Sequence, residues 1–214
     1  MTELRDWKPW FAAYDDPTSA LASRLAVVRD GIRRALDEAA PGPIRVLYPC
    51  AGEGRDLVPI VASHPRRADV TARLVEFDPD IADVARHAAS VAGLSDAVRV
   101  VTGDAADLSH YADFGPASLL LLCGIFGNIS DADIANTVAH AAALTARGGT
   151  AIWTRHRKEP NLVPAINDWF AEAGFAKLWE SDPALPESVY VAGHRQERDP
   201  APLPGGEKLF TFIT

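Results

Sequence analysis

Apolar residues near the amino end of the chain recur at helical spacing. Counted from Asp16, they fall every three or four positions, at Leu21, Leu25, Val28, Ile32 and Leu36. Asp16 is suited to the N-cap of this helix, with Pro17 at its first helical position, and the Pro and Gly residues at 41–43 end it. An aromatic-rich segment, residues 4–14, precedes the helix. The pattern predicts one amphipathic helix before the first strand.

The middle of the chain alternates short apolar runs with amphipathic stretches. The apolar runs predict strands at 44–48, 70–77, 98–102, 119–123 and 150–154. The other stretches predict helices at 55–64, 79–92, 105–111, 130–146 and 161–173. Ser130 is a suitable cap for the fourth of these helices, and Gly148-Gly149 is expected to end it. Strands that alternate with helices form parallel βαβ units with helices on both faces of the sheet.

The pattern changes again near the carboxyl end, where apolar runs follow one another without helices between them. These runs, at 175–180, 188–194 and 209–213, are expected to extend one edge of the sheet in antiparallel fashion. The predicted fold class is a three-layer α/β sandwich, with a seven-stranded, mostly parallel sheet and an antiparallel C-terminal edge. We expect a single domain over residues 1–214, in which residues 1–40 form an N-terminal helical cap.

Composition narrows the classes of function. The chain has 214 residues, 48% of them hydrophobic, and a formal net charge of −8. An acidic balance argues against binding to a nucleic-acid backbone, which needs a concentrated basic face. No apolar run approaches the roughly 20 residues of a membrane span, and the N-terminal residues lack the apolar core of a signal peptide. We therefore expect a cytoplasmic protein that acts on a small molecule without nucleic acid or membrane partners; its oligomeric state stays open.

The ends of the predicted strands carry the candidate chemistry, because ligands of open α/β sheets bind at the carboxyl ends of strands. After the first strand, Gly52 and Gly54 allow a tight turn and a close backbone approach to a ligand just before a helix. Tight packing between strand and helix alone would also explain two glycines. This segment is therefore a candidate site only in combination with its neighbours.

The second predicted strand ends in an acid followed by an aromatic residue. Glu76 lies 22 residues after Gly54, a distance at which a carboxylate accepts hydrogen bonds from the ribose hydroxyls of an adenosine cofactor. Phe77 is placed to cover one face of the adenine. The alternative is that Glu76 and Asp78 cap the next helix, which is the favoured interpretation for Asp78.

The third predicted strand ends in Asp104 and Ala105. A carboxylate here can accept a hydrogen bond from the exocyclic amine of adenine, and the Ala105 N–H can meet a ring nitrogen. Asp104 is equally suited to be a helix N-cap, and the two roles are compatible.

Together these segments resemble the class I S-adenosylmethionine-dependent methyltransferases over about residues 44–154. YPCAGEGRD is similar to the family's glycine-rich first motif, LVEFDP to its acidic second motif and TGDAAD to its third, and LLLLCGIFGNIS resembles the segment after strand four. The resemblance implies S-adenosylmethionine as cofactor and methyl transfer as activity. It assigns cofactor contacts as follows: Gly52 and Gly54 to methionine and ribose, Glu76 to the ribose hydroxyls, Asp104 to adenine, and the Cys123 and Gly124 backbone to the amino group.

The first motif departs from the family pattern at two positions. Tyr48 stands where the family has an acid, and Cys50 stands where it has its first glycine. Asp56, or the backbone carbonyls at 50 and 123, are the alternative partners for the cofactor ammonium. Cys50, Ala51 and Asp56 therefore complete the predicted cofactor-binding set.

Catalytic residues are harder to identify, because the methyl group of a sulfonium is already activated and alignment supplies much of the rate. A base is needed only when the acceptor atom must lose a proton. The candidates are His156, Asn128 and Tyr14, with His156 favoured as base by residue type; a solvated loop histidine is the alternative.

Several further residues are candidates for substrate or cofactor binding. Arg155, Arg157 and Lys158 would suit an acidic substrate, unless they form a solvated basic loop, and Arg24 would pair with the cofactor carboxylate. The front aromatic residues fold over the site as a lid or pack on the sheet as an amphipathic helix; they are Trp7, Trp10, Phe11 and Tyr14.

Three further interpretations concern metals, thiols and other functions. No His, Cys and acid cluster has metal-ligand spacing, so no metal is expected. The two cysteines, Cys50 and Cys123, could act as a redox pair or as a thiol nucleophile; we favour the alternative that they are small buried residues near the ligand. A nicotinamide-dependent dehydrogenase would need a third glycine where Leu57 stands. A cofactor-binding or regulatory protein without turnover remains the other alternative.

Overall fold

Seven strands form one sheet in the computed structural model, which describes residues 12–202 and 208–213. The strands are β1 (Ile44–Pro49), β2 (Val70–Glu76), β3 (Val98–Thr102), β4 (Ala117–Leu122), β5 (Thr145–Arg155), β6 (Phe175–Glu180) and β7 (Tyr190–Gln196). Their order across the sheet is β3-β2-β1-β4-β5-β7-β6. All pairings from β3 to β5 are parallel, and β7 runs antiparallel to both of its neighbours. The predicted fold class is confirmed.

Five α-helices flank this sheet within the described residues: α1 (Ala20–Glu38), α2 (Val58–Ser63), α3 (Pro79–Val91), α4 (Asp131–Leu144) and α5 (Val163–Glu172). Short 3-10 turns lie at Ala12–Asp15, Arg67–Asp69 and Leu108–His110. Apolar side chains alternate along the strands, so each face of the sheet supports its own buried cluster under a layer of helices. No helix of the described residues is long and apolar enough to cross a membrane.

The first helix begins later than predicted. Its N-cap is Ser19, whose hydroxyl accepts a hydrogen bond of 3.0 Å from the Ala22 N–H. The Asp16 carboxylate instead accepts from the Thr18 N–H at 2.9 Å and from the Thr18 hydroxyl at 2.7 Å. Because Asp16 is engaged in this local turn, the prediction that it caps the helix was wrong.

The fifth strand also begins earlier than predicted. We expected the preceding helix to reach residue 146, but α4 ends at Leu144 and β5 starts at Thr145. Thr145 pairs with Ala117 of β4, while Thr150 already pairs with Leu119. The extra residues bulge out of the ladder, and Gly148 adopts a φ of +80° there. The glycines thus serve a bulge within β5.

The run at 209–213 does not add a strand to the sheet. Isolated bridges join Lys208 to Asp107 and Phe212 to Ile129, within the part of the chain that is described. Leu209 and Phe210 are buried, and the Leu209 carbonyl accepts hydrogen bonds from Asn136 and Thr137 of α4. Burial of this apolar pair against the core accounts for the hydrophobicity that had predicted a strand. We call residues 208–213 the C-terminal segment.

Candidate functional site

The loop between β1 and α2 has an unusual backbone. Cys50, Gly52 and Gly54 adopt positive φ values of 53°, 56° and 71°. A Cβ atom on Gly54 would lie 3.1 Å from Val58 and 3.3 Å from Leu74, so this position excludes side chains both by conformation and by space. Cys50, at the position where the family has glycine, is the non-glycine residue of the described chain that adopts this left-handed conformation. The loop therefore places a side chain where glycine is the favoured residue.

The Glu76 carboxylate meets this loop. Its Oε2 accepts a hydrogen bond of 2.8 Å from the Gly52 N–H, and its Oε1 accepts one of 3.0 Å from the Asp78 N–H. Asp78 itself caps α3 by accepting from the N–H groups of Asp80 and Ile81, as the alternative interpretation had it. Glu76 does not cap α3; its side chain is directed towards the glycine loop. An acid and two glycines from distant parts of the sequence thus share one corner of the sheet edge.

The neighbouring strand end adds an exposed ring and a second acid. Phe77 is 50% exposed, which is unusual for a phenylalanine and leaves its side chain accessible to a ligand. The Asp104 Oδ1 accepts from the Ala106 N–H at 3.0 Å, and its Oδ2 accepts from the Lys208 ammonium at 2.8 Å. Ala105 is buried. Lys208 was missed at the sequence level, because nothing local signals that the C-terminal segment returns to this loop.

A buried polar cluster occupies the other side of the glycine loop. The Tyr48 hydroxyl donates a short hydrogen bond to the Asp56 carboxylate, and both side chains are buried. Burial raises the pKa of the Asp56 carboxyl, while the Tyr48 hydrogen bond and the positive charge of Arg24 act in the opposite direction. Arg24 also donates to the Tyr14 hydroxyl. The residue that replaces the family's acid, Tyr48, is thus joined to a nearby acid.

Arginines hold the outside of this loop in place. Arg29 donates from Nε and Nη2 to the Arg55 carbonyl at 3.1 and 2.8 Å. The Arg55 guanidinium lies 5.7 Å from the centre of the Tyr14 ring and 2.9 Å from Asp15. Burial raises the pKa of the Tyr14 hydroxyl, so the phenol stays protonated at neutral pH and supplies no phenolate base; its ring contacts with Arg24 and Arg55 indicate a positioning role. Trp7, Trp10 and Phe11 lie outside the described residues.

The two thiols lie in different electrostatic surroundings. Burial raises the pKa of both well above the usual range; Glu76 and Asp104 add to the effect at Cys50, and Asp56 does so at Cys123. A thiol that resists ionisation is a poor nucleophile. Cys123 is buried, as the favoured interpretation expects, whereas Cys50 is only partly buried.

A cavity of about 110 Å³ lies at the ends of β4 and β5. Its lining consists of Arg24, Gly124, Gly127, Thr154, Arg155, His156 and Ser188. The Gly124 N–H donates to the Thr154 hydroxyl at 2.9 Å, and the Asn128 side-chain amide donates to the Gly124 carbonyl at 2.8 Å. Asn128 is outside this lining; its amide braces the loop after β4.

The basic residues after β5 separate into two groups. Arg155 and His156 line the cavity, whereas the Arg157 guanidinium donates to the carbonyls of Pro183 and Leu185. Burial lowers the pKa of His156, and the neighbouring charge of Arg155 lowers it further. A neutral imidazole beside a cavity is a candidate proton acceptor. Lys158 is exposed. The described residues contain no group of three or more potential metal ligands.

Comparisons with known proteins place this geometry in context. No family model matches the chain, and no curated protein matches its sequence. Magnesium protoporphyrin IX methyltransferase from Synechocystis, solved with bound S-adenosylmethionine, superposes with a TM-score of 0.65 at 15% identity, covering 89% of this chain and 90% of that one. A putative rRNA methylase from Clostridium thermocellum gives a TM-score of 0.60 at 11% identity, covering 82% and 97%.

An O-methyltransferase family protein from Burkholderia thailandensis is also similar, with a TM-score of 0.63 at 18% identity over 89% of this chain. This chain spans only 62% of that protein's length. Identities in this range bear on architecture rather than on activity. Together with the strand order and the antiparallel β7, these likenesses show that the chain has the class I S-adenosylmethionine-dependent methyltransferase fold.

Proposed function

We propose that this protein transfers the methyl group of S-adenosylmethionine to a small-molecule acceptor without a metal. The observation that carries the proposal is the hydrogen bond from the Gly52 N–H to the Glu76 carboxylate. It joins the glycine loop to the acid of the second motif, so one adenosyl group can be held by both. In this proposal residues 1–214 form one methyltransferase domain.

The adenosine end of the cofactor lies along the ends of β1, β2 and β3. Glu76 receives the ribose hydroxyls, Phe77 covers the adenine, and Asp104 with the Ala105 N–H meets the adenine edge. Gly52 and Gly54 supply close backbone approach beside Cys50 and Ala51. These assignments are supported by the positive φ values of the loop and by the exposed Phe77 ring.

The methionine end lies over the ends of β1 and β4. Asp56 receives the ammonium in place of the missing family acid, with help from the Cys123 and Gly124 backbone, and Arg24 receives the carboxylate. The buried Tyr48 hydroxyl keeps the Asp56 carboxylate hydrogen-bonded and in position. A buried carboxylate next to an arginine provides paired charges of the signs that an amino-acid zwitterion requires.

Catalysis follows from alignment. The bound cofactor supplies an electrophilic methyl group; the chain's residues hold it, exclude water and orient the acceptor along the line of displacement. When the acceptor atom carries a proton, His156 is the group that accepts it. Asn128 and Tyr14 position the surrounding loops through their hydrogen bonds.

Calorimetry tests the proposal directly. The wild type is expected to bind S-adenosylmethionine and its demethylated product, and Glu76→Ala is expected to lower the affinity roughly 10- to 100-fold, since it removes charge-assisted hydrogen bonds. Asp80→Ala, on the same loop-helix junction but exposed, is the control and should bind normally. Full affinity in Glu76→Ala would refute the site, provided that thermal melts show both variants folded.

A regulatory protein that binds the cofactor without turnover is the second candidate. Tyr48 in place of the family acid and the Lys208–Asp104 ion pair favour it. Methyl-transfer assays with labelled cofactor over a metabolite library and over total RNA would separate the candidates. Transfer to a metabolite supports the proposed activity, transfer to RNA alone rejects the small-molecule acceptor, and binding with no transfer in either set favours the regulatory role. Binding of NAD in place of S-adenosylmethionine would favour a dehydrogenase.

A further inference from the structure

The cavity after β4 and β5 is lined by basic side chains in a protein of net negative charge. Arg24, Arg155 and His156 contribute to its wall, while the whole chain carries a formal charge of −8. Glycine, threonine and serine supply the rest of the lining, and no carboxylate of a described residue belongs to it. The local charge is therefore opposite in sign to the charge of the protein.

Two polar side-chain atoms of residues in the cavity wall have no hydrogen-bond partner among the described residues. Arg155 donates from Nη1 to the Phe126 carbonyl, which fixes the guanidinium at the cavity. Its Nε is buried and has no hydrogen-bond partner among the described residues, and the same holds for Nδ1 of His156. Because these two nitrogens are closed off from solvent, a ligand in the cavity would meet the remaining part of the Arg155 guanidinium, which belongs to the wall.

The volume suits a small group. About 110 Å³ far exceeds the roughly 10–15 Å³ that a single water molecule needs. Arginine presents fixed N–H donors that match the two oxygens of a carboxylate. The Arg24 guanidinium donates to the Tyr14 hydroxyl, and its charge opposes the burial that raises the pKa of Asp56, so Arg24 already has partners on the cofactor side. Of the two arginines in the cavity wall, Arg155 is therefore the better candidate to meet a substrate anion.

We propose that the acceptor of the methyl group carries a carboxylate, which Arg155 binds through its guanidinium while His156 lies alongside. This inference rests on the proposed function and deepens it by naming the substrate class. The anion and the cofactor occupy adjacent places, so the anion binds to protein that is already loaded with the demethylated cofactor. The remainder of the acceptor presents its reacting atom towards the methyl group.

Matched pairs of small molecules test the inference. Protein saturated with S-adenosylhomocysteine is titrated with carboxylates and their amides, from acetate and acetamide to benzoate, 4-hydroxybenzoate and indole-3-carboxylate with the corresponding amides, and binding is followed by NMR. At least one carboxylate is expected to bind roughly tenfold or more tightly than its amide, as a charge-assisted contact predicts. Equal binding of acid and amide throughout, or binding of no carboxylate, overturns the inference.

Variants test whether Arg155 causes the preference for carboxylates over amides. Arg155→Gln is expected to abolish it, Arg155→Lys to retain part of it because the charge remains, and Arg147→Gln to leave it intact. Arg147 provides the same loss of charge at an exposed residue in the β5 bulge. A preference that survives in folded Arg155→Gln overturns the inference, and thermal melts with S-adenosylhomocysteine report folding and cofactor binding independently.

Titrations without cofactor separate this inference from the proposed function. If S-adenosylhomocysteine fails to bind while the Arg155-dependent preference remains, the anion site stands and the methyltransferase proposal fails. If carboxylates bind only in the absence of S-adenosylhomocysteine and are displaced by it, the anion occupies the cofactor's own carboxylate position, and the inference fails while the function stands.

Discussion

The two halves of the candidate site differ in the groups that form them. The half proposed to bind adenosine, at the ends of β1 to β3, consists of backbone in left-handed conformation and of acids, Glu76 and Asp104. The half proposed to bind the acceptor, at the ends of β4 and β5, includes Arg155 and His156. A constant cofactor can be recognised by backbone geometry, whereas the acceptor half depends on side chains that substitutions change easily. With the proposed assignments, cofactor binding and acceptor choice can therefore be changed independently in this chain.

The stability of the core between β5 and β7 is expected to decrease at acidic pH. His194 of β7 is buried, accepts a hydrogen bond from Trp153 of β5 at 3.1 Å and stacks on Phe170 with centroids 4.7 Å apart. Burial lowers its pKa to about 4, with a further contribution from Lys177. The folded state therefore holds neutral His194, and the unfolded state takes up the proton first as pH falls.

The resulting loss of stability is the largest effect we expect. The contribution of His194 is complete above its ordinary pKa of about 6.5 and is lost between that value and about 4. It amounts to about 3 kcal/mol. Urea unfolding at pH 7, 6, 5 and 4 should show a steeper decline for the wild type than for His194→Asn, which keeps an acceptor for Trp153. Parallel curves for the two proteins would contradict this assignment.

The adenosine half should respond instead to changes in backbone shape. Gly54→Ala forces a side chain into a left-handed position and into contact with Val58 and Leu74. We expect a loss of about 2 kcal/mol in stability and about a tenfold loss in S-adenosylmethionine affinity. Gly115→Ala is the control: its φ is +75°, but nothing lies within 4 Å of the added Cβ. Only the first variant should lose affinity, as measured by calorimetry.

Tyr48→Phe tests the joint between the halves. Removal of the hydroxyl leaves the buried Asp56 carboxyl without its donor, which costs about 1–2 kcal/mol and raises the pKa of Asp56 further. Cofactor affinity should fall with it, because Asp56 is the proposed ammonium partner. Tyr190→Phe is the control. It removes a hydroxyl that donates to Glu180 of β6 at 2.8 Å, and it should leave cofactor affinity unchanged. Unchanged affinity in Tyr48→Phe would show that Asp56 does not contact the cofactor.

Lys208→Ala should produce the smallest effect. The ammonium pairs with Asp104 at 2.8 Å, and both side chains are substantially exposed. Exposed ion pairs contribute little, so release of Asp104 towards adenine should raise S-adenosylmethionine affinity by no more than about fivefold. A fall in affinity would mean that Lys208 holds the Asp104 carboxylate in its binding position. Calorimetry at low and moderate salt distinguishes these results.

Much of the fold could be predicted from sequence because the strands are short, buried and regularly spaced. The β3 boundaries agree with the structure, and the antiparallel edge followed from the absence of helices between the last apolar runs. The spacing of residues did not predict the β5 bulge, because the sequence of residues 146–149 is equally compatible with the end of a helix. It also did not predict the choice of Ser19 over Asp16, since both are good capping residues.

Part of the candidate site could likewise be predicted from the sequence, and part could not. Glu76 and the glycines could be identified from their spacing, and the structure brings their atoms into contact. Arg24 and Asp56 were candidates from the sequence as well, but their spacing did not predict the hydrogen bond from Tyr48 to Asp56. The bracing role of Arg29 and the return of Lys208 depend on contacts between residues far apart in sequence, on which local patterns carry no information.

The central ladder between β1 and β4 has a consequence for the order of folding. It pairs Val46 with Leu119 and Leu47 with Leu120. Strands β1 to β3 form one side of this ladder and strands β4 to β7 form the other, so it joins two parts of the sheet that are each continuous in sequence. Non-local pairings of this kind form late, since a long loop must close first. We therefore expect the candidate site, which spans this ladder, to form late in folding. A nascent chain cannot complete it before β5 and the C-terminal segment, which follow β4, have also left the ribosome.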